Sequence, residues 1–179
     1  VDSILKHPER LQVGGEKRTR ITATQVARLQ PDASMPGWTE VAPYVHVSTY
    51  KSWDQVARWY WHLVEEQLVA DEAVRKAAKD AVKGMTDVKD KVRAIHNLVV
   101  KSTRYVGLEF GINSFKSYRV PTIFERKFGD CKDKASLIVV MLREVGVPAQ
   151  MVLVRTRKNG DLDPPPASLA IFDHAIAYV

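Results

Sequence analysis

The sequence predicts an α+β fold in which a layer of helices packs on an antiparallel sheet and a nucleophile opens one of the helices. Three observations lead there. Between residues 51 and 145, apolar residues recur at helical spacing in several separate stretches. Two short runs, 151–154 and 171–179, suit strands and are separated by Asn159-Gly160 and Pro164-Pro165-Pro166. The lone cysteine of the 179-residue chain, Cys131, follows Gly129-Asp130 directly before a helical stripe of Ala135, Ile138, Val139, Leu142 and Val145.

Taken in order, residues 1 to about 50 read as β and turn. Arg18 to Thr24 alternates polar residues with Thr19, Ile21 and Ala23, Pro31, Pro36-Gly37 and Pro43 punctuate the segment, and Tyr44 to Thr49 reads as another short strand. His46 on that strand has no second ligand at a matching spacing, so it reads as a half-exposed strand residue. Ser52 with Gln55 three residues on forms a capping box that opens a helix bearing Val56, Tyr60, Leu63, Val64 and Leu68 on one face. Trp53, Trp59 and Trp61 crowd its first turns and are read as packing residues. A second helix is expected over 72–83 with Gly84 as its stop, and a third, capped by Thr86 or Asp87, carries Val88, Val92, Ile95 and Val99, with His96 beside the stripe. From Tyr105 to Tyr118 the chain is irregular, and a short amphipathic segment over 123–128 delivers it to Cys131. Gly146 and Pro148 end the cysteine helix, Arg157-Lys158-Asn159-Gly160 signals a turn, and the last strand places His174, Ile176 and Tyr178 on one face and Asp173 and Ala175 on the other.

Cys131 at the first helical position, with Asp130 as helix cap, would sit where unpaired N–H groups and the helix dipole favour a thiolate, and Lys132 and Lys134 add positive charge. A lowered thiol pKa is therefore expected. A cysteine nucleophile needs a base, which His174 could supply, and preorganised donors for the oxyanion. The Cys131 backbone N–H is the natural first donor, and Tyr118 is a side-chain candidate for the second.

Composition narrows the partners. The net charge of +6 comes from 27 basic residues dispersed among 21 acidic ones, without the basic stripe of a nucleic-acid binder. The longest apolar run, Leu137 to Leu142, falls far short of a membrane span, so no transmembrane segment is expected. One cysteine and scattered histidines give neither an internal disulfide nor a metal-ligand spacing, and no metal or cofactor is expected. The sequence opens at Val1 without an initiator methionine, which fits removal of a leader or a preceding segment.

The order of helix-borne cysteine, strand, loop and histidine-bearing strand resembles the transglutaminase-like superfamily, whose papain-like core uses Cys, His and Asp. The Tyr-Gly-Asp-Cys-Lys-Asp-Lys-Ala motif of many bacterial members stands here as Phe128-Gly129-Asp130-Cys131-Lys132-Asp133-Lys134-Ala135, followed by Leu142-Arg143, Gly146-Val147-Pro148-Ala149 and Asp173-His174-Ala175. The likeness spans about residues 88 to 179. Val47-Ser48-Thr49-Tyr50-Lys51-Ser52-Trp53 resembles the junction at which a β-sandwich domain precedes such a core in exported bacterial proteins. The resemblance thus implies the tail of a β-rich domain over 1–50 and a transglutaminase-like core over 51–179, truncated at its C-terminal end. It also implies export or a periplasmic location, with the cytoplasm left open. The third triad member, an aspartate on the strand after the histidine strand, is expected beyond Val179. Asp173 points to the wrong face to replace it, and Asp161 and Asp163 are loop candidates.

The function implied is acyl transfer at an amide bond of a peptide or protein substrate: a peptidase or amidase if water resolves the thioester, a transglutaminase if an amine does. Hydrolysis is favoured because no calcium-loop spacing is seen. The alternative is a non-catalytic binding or scaffolding module that keeps the fold. Oligomeric state is not legible in the sequence.

Overall fold

A computed structural model describes residues 9–26, 28–162 and 166–179, together with the backbone of Ile4 and Leu5. It divides into two compact units, residues 1–48 with 156–166, and residues 49–155 with 167–179. The turn expected after the first C-terminal strand belongs to the first unit.

In the first unit, β1 (Ile4–Leu5) pairs with β4 (Ala23–Thr24), and β2 (Glu9–Val13) forms an antiparallel hairpin with β3 (Glu16–Arg20). The hairpin loop is Gly14-Gly15 with φ of +58° and +83°, the left-handed pair that a two-residue turn demands. The strand expected over 18–24 is therefore split between two ladders. A short helix, α1 (Trp38–Val41), was not expected, and no strand forms over 44–49, where Val45 and Val47 are exposed and no ladder partner is present among the described residues. The 157–160 turn is a 3₁₀ turn, Arg157–Asn159, whose end packs against α1's start so closely that a Cβ on Gly37 would lie 1.8 Å from the Gly160 nitrogen.

The second unit is built on helices. Its first, α2 (Trp53–Val64), starts as expected: the Ser52 hydroxyl accepts from the Gln55 amide at 3.3 Å, and the Gln55 side chain accepts from the Lys51 amide at 2.9 Å. Next come α3 (Glu72–Ala81), capped by Asp71, and α4 (Val88–Ser102), capped by Asp87. β5 (Arg104–Tyr105) and β6 (Phe128–Gly129) pair in parallel on either side of the irregular 106–118 stretch and of α5 (Val120–Arg126).

At the centre lies α6 (Cys131–Glu144), against which α3, α4, α5 and a final strand all pack. Val139, Leu137, Met141 and Leu142 are fully buried on it, facing Ile95 and Val99 of α4, Val74 of α3 and Ile123 of α5. Burying side chains of this size contributes roughly 1.5–3 kcal/mol each. Gly146, at φ +77°, turns the helix end so that the Val147 amide returns to the Leu142 carbonyl at 2.9 Å.

Two strands complete the unit. β7 (Gln150–Val154) and β8 (His174–Tyr178) pair antiparallel, with Val154 opposite His174 and Val152 opposite Ile176. β8 is three residues shorter at its start than expected, because Ser168 caps a 3₁₀ turn over Leu169–Ile171, its hydroxyl accepting from the Ala170 amide at 3.1 Å. Along β8, Ala175 is buried while His174, Ile176 and Tyr178 are exposed, the alternation read from the sequence.

Candidate active site

The start of α6 is held by a closed polar cluster. The Asp130 carboxylate accepts from the Asp133 amide at 3.3 Å, and the Asp133 carboxylate accepts back from the Asp130 amide at 3.4 Å, a reciprocal capping box. Asp133 also accepts from the Tyr118 amide at 2.9 Å and from the Arg126 guanidinium at 2.6 Å. Arg126 lies over the Tyr118 ring, 4.1 Å from its centroid, and donates to the Phe128 carbonyl at 2.8 Å. Lys132 is buried and donates to the Asp130 carboxylate. Lys134 reaches the Thr103 carbonyl at 2.8 Å. Gly129 is small for a reason: a Cβ there would sit 2.6 Å from the Asp133 Cβ. The charges of the Phe-Gly-Asp-Cys-Lys-Asp-Lys segment therefore fix the helix end.

Cys131 occupies the first helical position, half-buried, beside Ala175 of β8 on the walls of the same cavities. The expected lowering of its pKa is not found. Burial pushes the thiol up, the Ala175 amide pulls it down, and the neighbouring Asp130 carboxylate raises it against the Lys132 charge and amide. Burial of the thiol is the main reason, and the cluster adds to it: the Lys132 ammonium is matched to Asp130, and Lys134 is turned to Thr103.

Two cavities meet at the sulfur. A groove of about 880 Å³ runs between α4, α6 and β8, with Val88, Val92, Ile138 and Ile176 among its apolar walls. A smaller cleft of about 210 Å³ lies between the 109–115 stretch and β7–β8. Cys131, His174 and Ala175 line both. The cysteine and histidine singled out in the sequence are thus brought to the same two cavities, although they are 43 positions apart.

Tyr118, the expected side-chain oxyanion donor, is placed elsewhere: it lines neither cavity, and its hydroxyl accepts from Asn113 at 3.2 Å. Two tyrosines that the sequence reading passed over stand nearer. Tyr105, at the end of β5, lines the groove together with Cys131, and its phenol is pushed up by burial and by the adjoining thiol. Its signal was its position at the entry to an irregular loop rich in glycine. Tyr60 of α2 is also within electrostatic reach of Cys131 and Asp130, and its buried hydroxyl has no hydrogen-bond partner among the described residues. Helical spacing alone marked it as a packing residue.

Of the aspartates weighed earlier, Asp173 lines the cleft and its amide donates to the Val154 carbonyl at 3.1 Å. Asp161 belongs to the other unit, and Asp163 lies outside the described residues. Among the described residues no three His, Cys, Asp or Glu side chains gather as a metal site, and no helix is long and apolar enough to cross a membrane.

The sequence pattern of the transglutaminase-like superfamily matches residues 75–178, more than half the chain. Among solved structures, a candidate protease from Parabacteroides distasonis superposes with a TM-score of 0.76 at 18% identity, over 97% of this chain and 33% of its own. A candidate cysteine protease from Cytophaga hutchinsonii gives a TM-score of 0.44 at 20% identity, over 62% of this chain and 35% of its own. The chain spans about a third of the length of each. No curated protein matches it.

Proposed function

Because the chain belongs to the transglutaminase-like superfamily, we propose that it carries the nucleophile and base of a cysteine-dependent enzyme acting by acyl transfer at amide bonds of peptides or proteins. The observation that carries this reading is the meeting of Cys131 and His174 on the walls of the same two cavities. The Cys131 sulfur attacks the amide carbonyl while His174 accepts the thiol proton. The Cys131 backbone N–H, at an unpaired helix start, faces the developing oxyanion. The intermediate then expels the amine, to which His174 returns the proton, leaving a thioester. Water, deprotonated by His174, hydrolyses it to the free acid and restores the thiol.

His174 acts as the base that removes the thiol proton during attack, since burial favours the neutral thiol. The carboxylate that orients its ring comes from a strand paired to the free edge of β8. One observation supports that placement: β8 pairs with β7 alone among the described strands.

The test is hydrolysis of a panel of peptide amides by the protein and by Cys131→Ala and His174→Ala variants. Turnover lost in both variants supports the reading. Turnover retained in Cys131→Ala removes it, and binding of peptides without turnover in any form would favour a scaffolding module.

A further inference from the structure

We propose that the smaller cleft beside Cys131 selects a cationic group on the substrate, an ammonium or guanidinium next to the scissile amide, and that Glu109 is its specificity-determining residue; this rests on Cys131 being the nucleophile. The cleft is walled by Glu109, Phe115, Lys132, Phe172 and Asp173 around the thiol and His174. The charge of Lys132 is already matched by Asp130. The Glu109 carboxylate, by contrast, has no hydrogen-bond or ion-pair partner among the described residues.

Its place is set by backbone contacts on both sides. The Ser114 hydroxyl donates to the Glu109 carbonyl at 2.8 Å, and the Val106 amide donates to the Gly129 carbonyl at 3.0 Å, tying the loop to the residue two before the nucleophile. Phe115 and Phe172 provide apolar walls, between which the methylenes of a lysine or arginine side chain can lie with the charged head at the carboxylate. At about 210 Å³ the cleft lies below the usual range for drug-sized ligands, so it fits one side chain or one amine. The groove on the other side of the sulfur differs: Lys89, Arg93 and Lys134 line it, Arg93 paired with Asp90 and Lys134 bonded to the Thr103 carbonyl, and no carboxylate does. Carboxylates thus lie on one side of the thiol only, which would orient a substrate as well as select it.

Cys131 is the only cysteine, so a thiol-directed probe reports this thiol alone, and because the thiol lines both cavities the Glu109 variants isolate the contribution of the cleft. The experiment compares the rates at which a cationic and an anionic methanethiosulfonate, the trimethylammonium-ethyl and sulfonatoethyl reagents, form a mixed disulfide and release methanesulfinate. The same ratio is measured for 2-mercaptoethanol. The expected result is a cation-to-anion ratio about fivefold above that of the free thiol, reduced by about that factor in Glu109→Gln, inverted in Glu109→Lys, and attenuated by added salt. A ratio that is equal in the wild type and both variants overturns the proposal, whether or not any peptide is cleaved. With cleavable peptide amides, the lysine-over-norleucine preference in kcat/KM should fall about tenfold in Glu109→Gln. An equal loss for both peptides would assign Glu109 a structural role and overturn the proposal. Failure of all peptide cleavage with the probe ratio intact would count against the enzymatic reading alone.

Discussion

Ala175 and Cys131 share the walls of both cavities, and the Ala175 backbone N–H draws the thiol's pKa down, so the strand bearing His174 meets the helix bearing the thiol one residue away from the imidazole. Ala175 itself is buried against α6, while His174 is exposed at the end of β8 opposite Val154. The strand is therefore anchored by its alanine, and the histidine side chain is free of a packing duty.

That division separates catalysis from stability at His174. His174→Ala should change folding stability by no more than about 0.5 kcal/mol, as exposed substitutions do. It should lower kcat on a peptide amide by about 10²-fold or more, the usual contribution of a positioned base. Urea unfolding and steady-state kinetics on the same preparation check both. A loss of stability with no kinetic effect would mark the histidine as structural.

The direction of the Cys131 shift fixes a pH dependence. Burial favours the neutral thiol, so the thiolate accumulates only above the ordinary value of about 8.5. Iodoacetamide labelling followed by mass spectrometry should show a rate that climbs with pH to a midpoint above that value. The linkage has the matching sign. A folded pKa above the unfolded one contributes stability below the unfolded value and loses it as pH rises through the folded one. Melting temperature should accordingly fall less between pH 8 and 10.5 in Cys131→Ala than in the wild type. A labelling midpoint below 8.5 would show the helix dipole outweighing burial.

The guanidinium of Arg126 faces a carboxylate with no exposure to water, Asp133, and the two are 2.6 Å apart. Arg126→Ala would strand that charge, and breaking a buried pair from one side costs about 3 kcal/mol or more. Arg126→Lys should recover little, because a point charge cannot stack on the Tyr118 ring while donating to both Asp133 and the Phe128 carbonyl. Denaturant midpoints with unchanged slope would record the loss as stability. Cys131 labelling should accelerate in Arg126→Ala, because the capping box that seats the thiol would fray.

Much of this arrangement was legible before the structure because it is local. Asp130 caps a helix that begins at Cys131, and α4 and α6 follow their apolar periodicity. That His174 and Cys131 line the same cavities was legible through the resemblance and through strand parity, since β8 alternates as read. What failed depended on partners distant in sequence. The thiol was expected to be lowered by Lys132 and Lys134, but charge counted along a chain does not reveal that one ammonium is neutralised by Asp130 and the other bonded to Thr103. Tyr118 was chosen for its position before the cysteine, whereas Tyr105 lines the groove with Cys131 because β5 pairs with β6. The strand expected over 44–49 had the right alternation and no neighbour to pair with, and a ladder needs both.

Tyr60 provides a test of whether an unmatched polar group near the thiol is an uncompensated cost or part of the site. Its hydroxyl is buried without a partner among the described residues, and burial, reinforced by the Cys131 and Asp130 charges, pushes the phenol well above its ordinary value. A buried hydroxyl with no hydrogen bond destabilises the fold by its desolvation, so Tyr60→Phe, which keeps the ring, should leave stability unchanged or raise it by up to about 1 kcal/mol. The sign with pH follows from the raised value: the neutral phenol's contribution is present below about 10 and is lost as pH rises toward the folded pKa. The alkaline limb of a melting-temperature profile should therefore be shallower in Tyr60→Phe than in the wild type. A variant less stable by 1 kcal/mol or more at neutral pH would show instead that the hydroxyl is satisfied by ordered water, and that the phenol helps to build the floor beneath Cys131.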